Sequence, residues 1–400
     1  MTTVAPHPAV AVAGGGRSRT RVLIAVLAVT QTIGYGVLFY AFSVLLTPIA
    51  TDLRASTATV TGAATVSILV AAASAVPVGR WLDRHGGRGL MTTGSLLGVA
   101  AVLAWSRVQT VAQLYAVFAV VGLASAASLY EAAFAVLIAA TDPARRDRAL
   151  LAVTIVAGFA SSIFFPLAGW LLAHHGWRTT LVVLAVLLAI TAIPGHLFAV
   201  PARRVRQATA HRRDGASVLD ALTDNRYWLL MVAFVAQAAA TAAVGVLLVA
   251  FLRHAGYPAT VAATVSGLLG VLSVTGRLAT TGLARRHGMT TVTAAVFAIQ
   301  ALGAFALPYV AGSLAWAAVC ITAFGLGFGV ATIARPAILA DRYGTGRYAT
   351  IAATMTAPIT LAKAGGPLAA AALGTGRFLT GAAVACLLAA VTLWAARPRP

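Results

Sequence analysis

Long apolar blocks are the feature that most limits how this chain can fold. The first runs from Val22 to Leu46, and eleven more follow it. A helix needs about 20 apolar residues to cross a hydrocarbon core about 30 Å thick. Inside lipid a single helix satisfies its own backbone groups, which an open strand cannot do. The other blocks are Val60–Val78, Gly89–Ser106, Val111–Ala139, Leu150–Leu172, Thr180–Phe198, Tyr227–Leu252, Val261–Leu283, Val292–Val310, Leu314–Leu339, Ala349–Leu373 and Phe378–Ala396. Composition agrees: 60% of residues are hydrophobic and 10% charged, against about 45–50% and about 25% in a soluble domain. Disorder is excluded as well, because it needs low hydrophobicity. Twelve spans of about 22 residues leave only short loops and tails. The expected fold is an all-α polytopic membrane protein with twelve transmembrane helices.

Six blocks precede the longest hydrophilic stretch and six follow it. The expected organisation is a disordered tail over 1–20, a six-helix bundle over 21–200, a linker over 201–226 and a second six-helix bundle over 227–400. Arg19-Thr-Arg21 before an apolar run resembles a signal peptide, but the run exceeds the 7–15 residues of a cleaved core and reads as the first span. Ser217 to Asp220, leading toward Tyr227, reads as a capped interfacial helix.

Net charge is +20, from 28 Arg and one Lys against nine acids. When alternate loops are assigned to opposite sides, 21 arginines fall on one side and five on the other, namely Arg54, Arg107, Arg178, Arg253 and Arg377. The positive-inside rule then places both termini and the linker in the cytoplasm, in a bacterial inner membrane. The charge is thus a topology signal, and nucleic acid is not an expected partner. Cys320 and Cys386 lie inside apolar spans and support neither a disulfide framework nor a zinc site.

Two loops echo each other. Gly79-Arg-Trp-Leu-Asp83-Arg84-His-Gly86 follows span two, and Gly282-Leu-Ala-Arg285-Arg286-His-Gly288 follows span eight. The first continues to Arg88 and resembles the loop 2–3 signature of the major facilitator superfamily of secondary transporters, keeping Gly79, Asp83, Arg84, Gly86 and Arg88. The resemblance extends over all twelve spans. It implies two pseudo-symmetric halves around a central cavity, and a loop that latches the outward-open state. A tight turn there would let Asp83 and the arginines pair across the cytoplasmic face. A topogenic hairpin without a gating role is the plainer reading of the same residues. The run Arg145 to Gly158, with Pro166 and Gly176-Trp-Arg178, looks weakly like the span-five region of monocarboxylate and oxalate porters.

Charges within the spans are costly, at about 2.5–3.5 kcal/mol each on permissive scales, so they mark function by default. Glu131 is the one carboxylate inside a span, ten residues before Thr141 and so about 15 Å deep. It is the expected proton-coupling residue, with a structural Glu bonded to a neighbouring helix as the alternative. Lys363, the only lysine, falls mid-span in span eleven, with Arg277 in span eight and Arg335 in span ten. Both arginines are long enough to snorkel to the cytoplasm instead. The three cations exceed Glu131 by a formal +2, which an anionic substrate would offset. The porters that span five resembles use basic residues in spans eight and eleven, where Arg277 and Lys363 stand. They also carry a lysine in span one, absent here, and some an acid in span eight, where this chain has Ser273. Coupling therefore moves to Glu131.

Gln31, Tyr35, Tyr130 and Gln237 are polar residues at similar depth that would complete a pocket or simply stitch helices together. Gly325-Leu-Gly-Phe-Gly329 reads as close helix packing. Gly365-Gly-Pro367 beside Lys363 reads as a hinge, and His196 as interfacial.

The expected function is proton-coupled transport of a small organic anion by alternating access, with a proton-coupled drug or metabolite exporter as the alternative. The expected partners are that solute, protons and the bilayer, for a monomer without cofactor or catalytic site. No nucleophile–base pair or metal cluster lies in the spans to suggest an enzyme.

Overall fold

The computed structural model describes residues 13–202, 216–374 and 377–397. The expected tail over 1–12 and the linker segment 203–215, with Arg203, Arg204, Arg206, Arg212 and Arg213, lie outside the described residues. Helix already runs from Ala13, so it takes in the last eight residues of the stretch 1–20 expected as tail. Every regular element among the described residues is helical.

Ten stretches are long and apolar enough to cross a membrane. One of them, Pro143–Ala199, is 57 residues long and is broken at Gly176, whose φ of 72° and ψ of 167° are not helical. It therefore supplies spans five and six. Tyr348–Leu373, which holds Lys363, Pro358 and Pro367, is a further helix of 26 residues. Together these make the twelve spans. Spans one to four are Ser18–Asp52, Thr57–His85, Gly87–Trp105 and Val111–Ala140. Spans seven to twelve are Asn225–His254, Ala259–His287, Met289–Val310, Leu314–Tyr343, Tyr348–Leu373 and Phe378–Ala396.

Local chemistry sets the ends of these helices. Ser56 and Thr110 accept hydrogen bonds from the backbone N–H of Thr59 and Gln113, capping spans two and four. Ser217 and Asp220 form a reciprocal capping box on the short helix Val218–Thr223, as their spacing predicts. Gly86 ends span two at φ 81° and Gly288 ends span eight at φ 77°, a left-handed conformation that costs glycine little. The two echoing His-Gly loops therefore share a backbone conformation as well as a sequence.

Three apolar cores hold the bundle. One joins residues of spans one to six only, around Trp105, Phe118 and Phe164. A second is built within spans seven to twelve, around Phe251, Phe324 and Phe378. Both lie toward the arginine-poor end. The third lies at the arginine-rich end and mixes the two halves, placing Leu82, Phe134 and Leu150 with Phe234, Ile338 and Met355. The halves are thus fused at one end and cored separately at the other, which leaves a cavity between them.

Candidate functional site

The cavity has a volume of about 430 Å³ and draws its walls from spans one, two, four, seven, ten and eleven. It lies within the size range of small-molecule sites. Tyr35, Tyr130, Glu131, Gln237, Arg335 and Lys363 all face it. The remainder of the wall is largely alanine, branched aliphatic and phenylalanine, with a few threonines.

Two broken helices put the ionised groups there. Span four stops at Ser128, leaves helical geometry at Leu129 (φ −88°, ψ −161°) and restarts at Tyr130. Span ten stops at Gly327 and restarts at Val330. The Gly325–Gly329 cluster thus marks a break in addition to close packing. Each break frees main-chain carbonyls that a helix would otherwise satisfy. The side-chain amide of Gln31 donates to Ser128 O at 2.9 Å, and that of Gln237 to Gly327 O at 3.5 Å. Gln31 sits in span one and Gln237 in span seven, the equivalent helices of the two halves. Gln31, expected at the substrate site, is fully buried behind the wall and serves the break; Gln237 serves the other break and also faces the cavity.

Glu131 and Arg335 form an ion pair across the cavity, joining the restarted segments of spans four and ten. Their side chains are 36% and 15% exposed, so the carboxylate stays open to the lumen. Glu131 is thus bonded to a residue of another helix. The pair bridges residues more than 200 positions apart, which no local pattern reveals. Lys363 faces the same space from span eleven, with Arg335 and Glu131 as its charged neighbours.

Arg277 takes a different place from the one expected. It lies outside the cavity wall, where its guanidinium donates to Gly329 O at 3.1 Å and Thr154 O at 3.0 Å. A guanidinium suits two carbonyls because its donors are fixed in a planar fork. It ties the break in span ten to span five of the other half. The formal charge around the cavity is then +1 from Glu131, Arg335 and Lys363, in place of the expected +2.

The loop after span two meets span eleven directly. Asp83 accepts hydrogen bonds from Ala349 N (3.3 Å), Thr350 N (2.9 Å) and Thr350 Oγ1 (2.6 Å). A carboxylate at a helix N-terminus satisfies free N–H groups and complements the helix dipole. The bonds described here run to main chain and a hydroxyl of span eleven. Gly79 makes the approach possible, since a Cβ there would lie 2.6 Å from Ala349 O. Arg88 Nε donates to Val200 O at 2.7 Å within its own half, and Arg84 is exposed. Nearby, Arg146 Nη1 reaches Asp341 Oδ1 at 3.1 Å, another bond between halves.

Two other expected features can be placed. Gly366 approaches span seven so closely that a Cβ would lie 2.6 Å from Ala239 O. Span eleven is helical through Gly365-Gly-Pro367, the stretch expected as a hinge. His196 is buried at 1% exposure, its ring held between Ser95 (2.7 Å) and Thr30 (3.1 Å).

The family model described as Major Facilitator Superfamily matches residues 27–367. A bacterial homologue of the iron transporter ferroportin, in an outward-facing state, superposes with a TM-score of 0.75 at 17% identity, over 95% of this chain and all of that one. The E. coli fucose:proton symporter gives 0.72 at 14% identity, over 95% of this chain and all of that one. The human organic anion transporter MFSD10 gives 0.66 at 16% identity, over 96% and 98%. At such identities the likeness is one of fold. No curated protein sequence matches the chain.

Proposed function

The chain belongs to the Major Facilitator Superfamily, and from that premise we propose that it moves a small organic anion, a carboxylate, across the membrane together with a proton. It is a multi-pass membrane transporter rather than an enzyme. The observation that carries the reading is the Glu131–Arg335 ion pair in the cavity wall beside Lys363.

A carboxylate entering this cavity meets Lys363 first as a free cation and then competes with Glu131 for Arg335. Bidentate binding of a carboxylate by a guanidinium is among the stronger polar contacts. When the substrate carboxylate takes Arg335, the coupling proton takes the place of that counter-ion on Glu131. Proton and anion therefore bind cooperatively, as symport requires. Tyr35, Tyr348, Arg335 and Lys363 are the titratable or charged groups facing Glu131.

Alternating access has support in the cores. The halves share a core and the Asp83, Arg146 and Arg277 bonds toward the arginine-rich end, whereas their other ends are cored apart. We read this as the outward-facing state of a monomer with both termini in the cytoplasm of a bacterial cell. Asp83 and Gly79 would latch that state, with Gly86, Arg84 and Arg88 shaping the turn. Gln31 and Gln237 act as caps of the two helix breaks, and Arg277 as a tie between halves.

The test uses purified protein in liposomes loaded with a pH-sensitive dye, a panel of carboxylates and amphiphilic cations, and Glu131→Gln beside wild type. Proton influx with a carboxylate, lost in Glu131→Gln, is the expected result. Proton efflux driven by a cation instead would move the protein to drug export, with Glu131 as cation receptor.

A further inference from the structure

The cavity wall carries aromatic rings as well as charges. Tyr35 and Tyr130 pack with ring centroids 4.6 Å apart, and Tyr130 stacks on Phe134 at 4.8 Å with planes 13° apart. These three rings from spans one and four line the cavity, and Phe234 and Phe328 face it from spans seven and ten. Arg335 and Lys363 reach in from spans ten and eleven. Tyr35 and Tyr130 are half-buried, so part of each ring remains open to the lumen.

We propose that the transported anion is an aromatic monocarboxylate, its ring against Tyr35 and Tyr130, the latter backed by Phe134, and its carboxylate on Lys363 and Arg335. This rests on the anion reading above and narrows it. The size of the cavity favours it over short carboxylates. A volume of about 430 Å³ exceeds what a two- or three-carbon acid fills, and a void left beside a small ligand forfeits contacts. An apolar wall with offset rings suits a flat apolar group, which gains from both burial and ring geometry. An aromatic cation would suit the rings but would be opposed by the free Lys363.

Calorimetric binding to the full-length protein in detergent tests this, with propionate, 3-phenylpropionate and tetraphenylphosphonium as probes. The two acids share a carboxylate and differ by a phenyl group. 3-Phenylpropionate should bind about tenfold tighter or more. Tyr130→Leu should shrink that ratio to about threefold while leaving propionate unchanged, and Tyr35→Leu serves if Tyr130→Leu does not fold. Lys363→Ala should weaken both acids and keep the ratio. Equal binding of the two acids, or an unchanged ratio in the folded tyrosine variants, overturns the ring assignment and leaves the anion reading standing. Binding of tetraphenylphosphonium alone, or of no probe, overturns both.

Discussion

The two ends of the helical bundle are built differently. At the arginine-rich end a single apolar core takes side chains from both halves, and polar bonds cross above it from Asp83 to Thr350 and from Arg146 to Asp341. At the opposite end each half keeps its own core, and the ion pair found there, Arg178 with Asp52, stays within one half. Contacts within a half survive any rocking of one half against the other. Contacts between halves exist in one state and not the other. A bond at the first end therefore sets a conformational equilibrium, and a bond at the second sets only the stability of its own bundle.

The largest expected effect comes from Asp83→Ala. It removes the acceptor for two N–H groups and a hydroxyl of span eleven, and bonds to a charged group are worth about 1.5–3 kcal/mol each. Discounting for water, we expect a shift of about 2 kcal/mol, roughly 30-fold, toward the state open at the arginine-rich end. Ala140 lines a small pocket between the halves at that end, beside Asp83 and Tyr348. Labelling of Ala140→Cys by an impermeant maleimide should rise accordingly, the native Cys320 and Cys386 being buried. Unchanged labelling would break the contrast between the two ends.

Next in size is an asymmetry at Arg146 and Asp341. The arginine side chain is 5% exposed and the aspartate 58%. Asp341→Asn strands a buried guanidinium, at about 2 kcal/mol, whereas Arg146→Met leaves a carboxylate already in water. The drop in thermal midpoint should therefore be larger for Asp341→Asn, and equal drops would refute the assignment.

A third test varies pH at the same end but within one half. Burial pushes Asp224 up, yet the N–H of Arg226, the Tyr343 hydroxyl and Arg342 together hold it below the ordinary carboxylate value. Because its folded pKa is depressed, its stabilisation is full above about pH 4 and is lost as pH falls through the folded value. The gap in thermal midpoint between wild type and Asp224→Asn should be constant near neutrality and close in acid. A gap that instead widens in acid would show the sign to be wrong.

The smallest effect belongs to the other end. Arg178 and Asp52 are 42% and 44% exposed, so Asp52→Asn should cost under about 1 kcal/mol and leave the labelling of Ala140→Cys as it was. A change in that labelling would mean the second end also senses the state.

Much of the fold was legible because hydropathy and helix capping are local. Val22–Leu46, Thr180–Phe198 and Phe378–Ala396 read directly as spans, and the break at Gly176 divides the 57-residue stretch where the apolar blocks were already separate. The rarity of charge in lipid likewise drew attention to Glu131, Arg335 and Lys363, which share one cavity. Less legible were the helix breaks. Three glycines flag the one in span ten, whereas Ala127-Ser-Leu129 gives no breaker at the one in span four. The cost of that break is met by Gln31, 97 residues away.

The sequence by itself determined the number of spans, the side on which the arginines collect and the family signature after span two, since each depends on residues close in the chain. The tertiary structure alone decided that Glu131 is paired with Arg335, that Arg277 holds two carbonyls outside the cavity, and that the halves close at one end. These are choices among partners of the same chemistry. Distance in the folded bundle makes them, because an ionised group within lipid takes whichever counter-charge or carbonyl the packing brings within reach.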